Sequence, residues 1–422
     1  MMRRRILEYS LALMLLPAVL CAQTVRRPVP SLEFACFDSN RIVFKGDSSA
    51  FETFFRKMDR VLFERNTNLR IMHIGGSHVQ AGTMTRQLRN DLLALGDSLD
   101  GGRGLVFPFS AAKTNNPSSF RTRFAGEWKA TKNVSREPDR RLGLSGMALS
   151  SSDSTAFLRV VLNARNATAM DPSFSFDEVK VLGYSSEGER SPLVLLESGD
   201  TLRGMRVEET SLWSFDLPAP ADSVTVALDR GDGTLTVTGI FLDNRKPGIS
   251  VTGIGVNGAA LPSYLRCEDF ERDLQLVRPD LVVFGIGIND ASGKDFSKED
   301  FIARYKVLIS KVRAVNPDCA LLFITNNDSY KRVRRRVYSV NKNGLEVEDA
   351  FFRICSDFGG GVWDLFEIMG GLESMKDWEE AGLAKRDKIH FTEEGYAVVG
   401  DLLFNALMGK YVEHLRRRVS WD

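Results

Sequence analysis

The reading of this sequence turns on residues 69–79, Leu69-Arg70-Ile71-Met72-His73-Ile74-Gly75-Gly76-Ser77-His78-Val79. The first six are mostly apolar and predict a short buried strand, which Gly75-Gly76 breaks. Apolar residues then recur at helical spacing from about Val79 to Leu95, with Gly96 as a stop. Strand, tight turn and helix thus succeed one another, and Ser77-His78 stand on the turn. Just upstream, Phe51, Phe54, Phe55, Met58, Val61 and Leu62 recur at helical spacing, which predicts an amphipathic helix over about 50–65.

The same rhythm returns near residue 249. Apolar strands are expected at 249–254, 281–286, 320–325 and 361–365, and the first two end in Gly255-Val256-Asn257-Gly258 and Gly287-Ile288-Asn289-Asp290. A helix carrying Phe301, Ile302, Tyr305, Leu308, Ile309 and Val312 lies between, closed by Pro317, and another is expected near 350–354. The last, over about 394–416, has Thr392 as its N-cap. Strands alternating with helices imply a parallel, doubly wound sheet. Between about 101 and 244 the texture changes to short runs separated by turn residues, at 157–162, 178–182, 193–196, 224–228 and 235–241. This spacing predicts a β-sandwich or jelly roll inserted into the α/β domain. The expected division is a leader over 1–22, a first α/β segment over 23–100, the β insert over 101–246 and a second α/β segment over 247–422.

Length and composition fit this division. At about 100–200 residues per domain, 422 residues make two or three domains. The 56 Lys and Arg against 55 Asp and Glu leave a net charge of +1, which lacks the basic excess of a nucleic-acid binder. Arg3-Arg4-Arg5, an apolar run from Leu11 to Ala22 and then Gln23 describe a secretory signal peptide cut after Ala22, and so a secreted or periplasmic protein. Cys21 raises lipid attachment as an alternative, but bulky Leu20 precedes it where a small residue is expected. The run is short for a membrane span, and no later segment is long and apolar enough to be one. Losing Arg3, Arg4, Arg5 and Glu8 removes a net +2 from the +1, so the mature chain is near −1. The cysteines that remain, Cys36, Cys267, Cys319 and Cys355, form no CxxC pair. Cys319 and Cys355 lie in apolar patterns and read as buried thiols, with pairing left open. Four histidines, His73, His78, His390 and His414, are too few for a multi-histidine metal site.

In open parallel sheets ligands bind beyond the carboxyl ends of the strands. That rule selects the loops at 75–78, 255–258 and 287–290, and with them the terminal loop Asp387-Lys388-Ile389-His390. Together they offer a hydroxyl, a glycine backbone, a carboxamide and an Asp/His pair, the parts needed for acyl transfer through an activated serine. Ser77 is the candidate nucleophile, His390 its base and Asp387 the carboxylate that fixes the imidazole tautomer. Backbone N–H groups of Ser77 and Gly258 and the Asn289 amide are candidate oxyanion donors. Each feature alone has a plainer reading: a serine after Gly-Gly as a turn, Asn-Asp as a cap, an isolated DxxH as chance. Their joint placement at one end of one sheet argues for chemistry. No GxSxG elbow surrounds Ser77, which disfavours an ordinary α/β-hydrolase.

Taken in order, Gly75-Gly76-Ser77-His78, the glycine of Gly255-Val256-Asn257-Gly258-Ala259, Gly287-Ile288-Asn289-Asp290 and Asp387-Lys388-Ile389-His390 resemble the four blocks of the SGNH (GDSL-like) hydrolases. More narrowly, the chain is similar to the peptidoglycan O-acetylesterase branch, which carries a carbohydrate-binding-module-like β-sandwich inserted after the first helix. Thr325-Asn326-Asn327-Asp328-Ser329-Tyr330, Ile368-Met369-Gly370-Gly371 and Gly395-Tyr396 also look typical of that branch. The resemblance implies a flavodoxin-like doubly wound sheet, with Ser77 as nucleophile, Ser77, Gly258 and Asn289 as oxyanion hole, and Asp387 and His390 completing the triad, with no metal or organic cofactor. It implies an exported esterase removing O-acetyl groups from a cell-envelope glycan, peptidoglycan foremost, through an acetyl-serine. An acetyltransferase with the same triad, or a catalytically dead glycan-binding protein, is the alternative. One departure stands out, since the Asp usual before the nucleophile is Gly76 here.

The other marked residues have structural readings beside functional ones. His78 either lines the site or bonds locally, His73 reads as a core histidine, and His414, beside Glu413 and Arg416-Arg417-Arg418, reads as lying on a solvated face. Lys331-Arg332-Val333-Arg334-Arg335-Arg336 reads as a solvated loop, or as one that meets an anionic substrate. Trp378 and residues 370–375 are divided between core and sugar site.

Overall fold

The computed structural model describes residues 26–165, 171–207, 210–293, 295–334 and 337–419. The leader expected over 1–22, with Cys21, lies outside the described residues, as do Arg335 and Arg336. One sheet organises the α/β part. Its strands are β1 (Ile42–Phe44), β2 (Asn68–Gly75), β3 (Gly248–Gly255), β4 (Leu281–Gly285), β5 (Ala320–Ile324) and β6 (Gly361–Trp363), in the spatial order β1-β6-β5-β4-β2-β3. The last five are parallel, and taken in chain order their arrangement is 2-1-3-4-5, the flavodoxin-like winding expected from sequence. The edge strand β1 runs antiparallel to β6 and was not anticipated, because three residues are too few to show a periodicity.

The inner strands are buried on both faces, as their unbroken apolar runs require: every residue of β5 and the first four of β4 are inaccessible. Helices Ser49–Asp59, Thr83–Leu93 and Glu393–Val419 pack together on one face, and Phe270–Val277, Lys298–Val315 and Asn343–Phe358 on the other. Ser297 caps its helix by accepting the Asp300 N–H, and Thr392 accepts the Gly395 N–H as expected.

Three details differ from the sequence reading. The helix expected over 79–95 is two, Ser77–Ala81 and Thr83–Leu93, split at Gly82, whose φ of 82° is left-handed. The basic loop after β5 is a hairpin, Tyr330–Arg334 against Val337–Val340. His414 is 1% exposed, between Glu52 and Asp59, because it continues the inward face set by Leu407 and Tyr411. It belongs to the core, not to a solvated face.

Residues 104–243 build two antiparallel sheets. One has the order Thr201–Arg203, Pro192–Leu195, Ser223–Leu228, Phe157–Val161, Arg121–Ala125. The other runs Met205–Val207, Leu212–Ala221, Phe176–Ser186, Thr234–Asp243, Met147–Ser151, Lys129–Lys132, with Gly104–Val106 also paired to Thr234–Asp243. Alternation turns Val224, Val226 and Leu228 into the core between the sheets. The two parts are joined by specific bonds: Arg141 to Asp269 at 2.7 Å, the Leu144 N–H to Asp273 at 3.0 Å, and the Ser118 N–H to the Ala81 carbonyl at 2.9 Å.

Candidate active site

Gly255, Gly75 and Gly285 lie side by side at the carboxyl ends of β3, β2 and β4. A Cβ on Gly75 would stand 2.3 Å from Val79 Cγ2, and one on Gly255 would stand 2.3 Å from the Gln80 nitrogen. Only bare backbone lets the helical turn Ser77–Ala81 lie across the strand ends, and that turn presents Ser77, which stays partly accessible.

Ser77 Oγ is 2.7 Å from His390 Nε2, and His390 Nδ1 is 2.9 Å from Asp387 Oδ2. Ser77 and His390 lie 313 positions apart in the chain. Asp387 Oδ1 accepts the backbone N–H groups of Ile389 and His390, each at 3.0 Å, so the carboxylate folds its own loop around the imidazole. Partial burial by itself would raise this carboxyl. The bonds from the His390 side chain and from the two backbone donors outweigh it and hold the group far below the ordinary carboxylate range. An acceptor so placed keeps a proton on Nδ1 and leaves Nε2 free to take one from the serine.

Beyond β3 and β4 lie the other sequence candidates. Gly258, at φ 80°, and Asn289 flank the turn, and Asn289 Nδ2 donates to the Ala259 carbonyl at 2.9 Å with its second N–H left over. A Cβ at Gly76 would stand 3.2 Å from that same Nδ2 and 3.3 Å from the Ala259 carbonyl. Gly76 has φ −96°, so its lack of a side chain relieves contact with Asn289 and not a left-handed backbone.

Several supporting residues had no distinct signal in the sequence. Buried Gln80 accepts the Asn257 N–H at 2.7 Å and donates to Thr114 Oγ1 and Asn115, which also receive the Asn257 side chain. This brace fixes the loop that bears Gly258, and half of it comes from the insert, a pairing that local pattern cannot reveal. Asn327 Nδ2 donates to the Ile389 carbonyl at 2.9 Å and the Tyr330 N–H to the Lys388 carbonyl at 3.0 Å, so the Thr325–Tyr330 stretch holds the loop of the base. His78 is buried, its Nδ1 bonded to Tyr396 at 2.8 Å and its ring 5.1 Å from that of His390. Burial, then the neighbouring His390, draws its pKa down to about 3, and burial does the same for His73. Both stand neutral beside the site. Trp378 is wholly buried, donating to the Met369 carbonyl, and belongs to the core.

The four described cysteines are free thiols, three of them buried. Among the described residues no cluster of His, Cys, Asp and Glu is arranged to hold a metal ion, and no helix is long and apolar enough to cross a membrane.

A profile of the GDSL-like lipase/acylhydrolase family matches residues 222–398, a span that takes in Gly258, Asn289, Asp387 and His390. Among solved structures, a peptidoglycan O-acetylesterase matches with a TM-score of 0.68 and 22% identity, covering 90% of this chain and 99% of that one. An acetyl xylan esterase (TM-score 0.31, 22% identity, 37% of this chain and 81% of that one) and a lipase/acylhydrolase from Enterococcus faecalis (0.30, 19%, 39% and 77%) match over shorter stretches. No significant match was found among curated proteins. At these identities the first structure establishes a shared fold, insert included.

Proposed function

We propose, for a chain whose α/β domain belongs to the GDSL-like lipase/acylhydrolases, that it is an exported serine esterase removing O-acetyl groups from a cell-envelope glycan, peptidoglycan foremost. The observation that carries this reading is the continuous relay Ser77 Oγ–His390 Nε2–Asp387, at 2.7 and 2.9 Å. Ser77 Oγ attacks the acetyl carbonyl carbon while its proton passes to His390 Nε2. The oxyanion that forms is met by the Ser77 and Gly258 N–H groups and Asn289 Nδ2. Collapse breaks the bond to the sugar oxygen, which leaves with the proton from His390. Water, deprotonated by the same nitrogen, then releases acetate from the acetyl-serine.

Support for the substrate is of a different kind. A peptidoglycan O-acetylesterase shares the fold over both parts of the chain, and the β insert suits a carbohydrate-binding-module-like role. The exposed cations Arg332 and Arg334 project on a hairpin bonded to the catalytic loop, where an anionic glycan strand would pass. Export rests on the residues 1–22 pattern.

The test is acetate release by the purified chain from O-acetylated peptidoglycan, acetylated xylan and a small acetyl ester, beside Ser77→Ala. We expect Ser77-dependent release from all acetylated glycans tested, fastest from peptidoglycan. Ser77-independent release, or none, would refute the esterase reading; a preference for xylan would refute only the substrate. Ping-pong transfer of acetyl to a glycan acceptor, with little free acetate, would replace hydrolysis by transfer.

A further inference from the structure

Behind the turn that bears Ser77, where the insert meets the α/β domain, lies a second chamber of about 30 Å³. Val79 and Gln80 form its wall toward the nucleophile, Phe107 and Phe120 its apolar side, and Arg89 and Arg103 enter it. Both arginines are nearly inaccessible, at 2% and 4% exposure. Arg89 donates Nε and Nη2 to the Val251 carbonyl, at 3.0 and 2.6 Å, while its Nη1 is buried without a partner. Arg103 lies over the Phe120 ring and donates Nη2 to Ser119 Oγ at 2.9 Å; its Nε and Nη1 are buried without partners.

Buried cations are ordinarily paired, since desolvating a charge costs several kcal/mol even after relaxation. Here neither guanidinium forms an ion pair among the described residues. The carboxylate that acts on both is Asp100, which already accepts the Gly102 N–H and the Asn244 amide. Two guanidinium groups against one engaged carboxylate leave positive charge at the seam. Burial, then the neighbouring Arg103, draws Arg89 well below the ordinary guanidinium range, whereas burial draws Arg103 down only to about 10, so Arg103 is the cation at neutral pH.

We propose that this chamber is an anion site, holding one small monovalent anion of halide to acetate size on the unpartnered N–H groups of Arg103 and Arg89. A water needs about 10–15 Å³ by the same measure, so the space suits one such ion and excludes sugar acids or nucleotides. The ion ties the insert, through Arg103, to the helix of Arg89 and to strand β3, and it does so independently of any esterase activity. Its wall is shared with Gln80, whose amide braces the Gly258 loop.

The test uses the purified chain in gluconate, an anion too large to enter, titrated with chloride, bromide or acetate at constant ionic strength. We expect a saturable rise in Tm of about 2 °C or more with an entering anion, absent in gluconate and abolished in Arg103→Gln. A response to halides alone identifies a halide, and one to acetate alone a short carboxylate; either supports the site. Crystals of the wild-type chain soaked in bromide, and in bromide with excess acetate, locate the ion directly, so the proposal is decided even if Arg103→Gln does not fold. Equal Tm in chloride, acetate and gluconate, or a wild-type chamber holding only water in both soaks, would overturn it.

Discussion

Asp387 accepts three hydrogen bonds with its two oxygens, and its role is separable from that of the residues it serves. Asp387→Asn keeps the shape but lets the imidazole adopt the wrong tautomer, so kcat on a small acetyl ester should fall by about 10³–10⁴ with KM little changed. Asn289→Ala removes a proposed oxyanion donor and should lower kcat by about 10²–10³; an unchanged kcat would take Asn289 out of the oxyanion hole. His73 and His78 bear on stability. Their folded pKa near 3 lies below the ordinary 6.5, so in that window the unfolded chain binds the extra protons. Their contribution is present in full above pH 6.5 and is lost as the pH falls toward 3, by up to about 1.4 kcal/mol per unit for each. Tm of His73→Gln should therefore decline less steeply than wild type between pH 7 and 5, and parallel curves would contradict this. The placement of Ser77, Gly258, Asn289, Asp387 and His390 at one end of the sheet was legible in the sequence because each follows a strand end or lies in the terminal loop, where local pattern and topology coincide. Gln80 was not, since nothing near it in sequence says that Asn115 and Asn257 will meet it.

At the scale of elements, the break at Gly82 is what lets the insert dock. A Cβ there would stand 2.6 Å from Pro117 Cβ and 2.9 Å from the Ser118 nitrogen, in a left-handed conformation besides. Gly82→Ala should lower Tm by several degrees, reflecting backbone strain of about 1–2 kcal/mol with the clash in addition. Helical periodicity runs through this glycine and hid the break, because hydrophobic spacing reports which face is buried and not whether the backbone is continuous. The basic hairpin escaped notice for a related reason. Tyr330–Arg334 and Val337–Val340 form an exposed two-stranded ribbon with no buried face to impose alternation. Val333 at its tip is 66% exposed, and Tyr330 is fastened to the loop of the base. Replacing Lys331, Arg332 and Arg334 by Gln should reduce kcat/KM on polymeric anionic substrate several-fold at low salt while leaving the small ester unaffected. The difference should shrink as salt rises. An equal loss on both substrates would show the hairpin to be structural only.

For the whole molecule, the sheet and the insert were legible from the switch between apolar runs with helices and short alternating strands. Their seam was not, because it rests on single polar pairs such as Arg141 with Asp269 and Leu144 with Asp273, far apart in sequence. Those bonds, together with the Ser118 N–H on the Ala81 carbonyl and the Gly101 N–H on the Ile249 carbonyl, make the insert part of the scaffold. Calorimetry should give one thermal transition rather than two, and two separated transitions would show the parts to be independent. The long separation between serine and base has a further consequence, which concerns time. A ribosome adding about 5–20 residues per second needs roughly 15–60 s to cover the 313 positions from Ser77 to His390. Through that interval the turn of Ser77 exists without His390, and on the esterase reading such a chain is inert. On the esterase reading, reactivity follows only once the whole insert and the loop of His390 have been made.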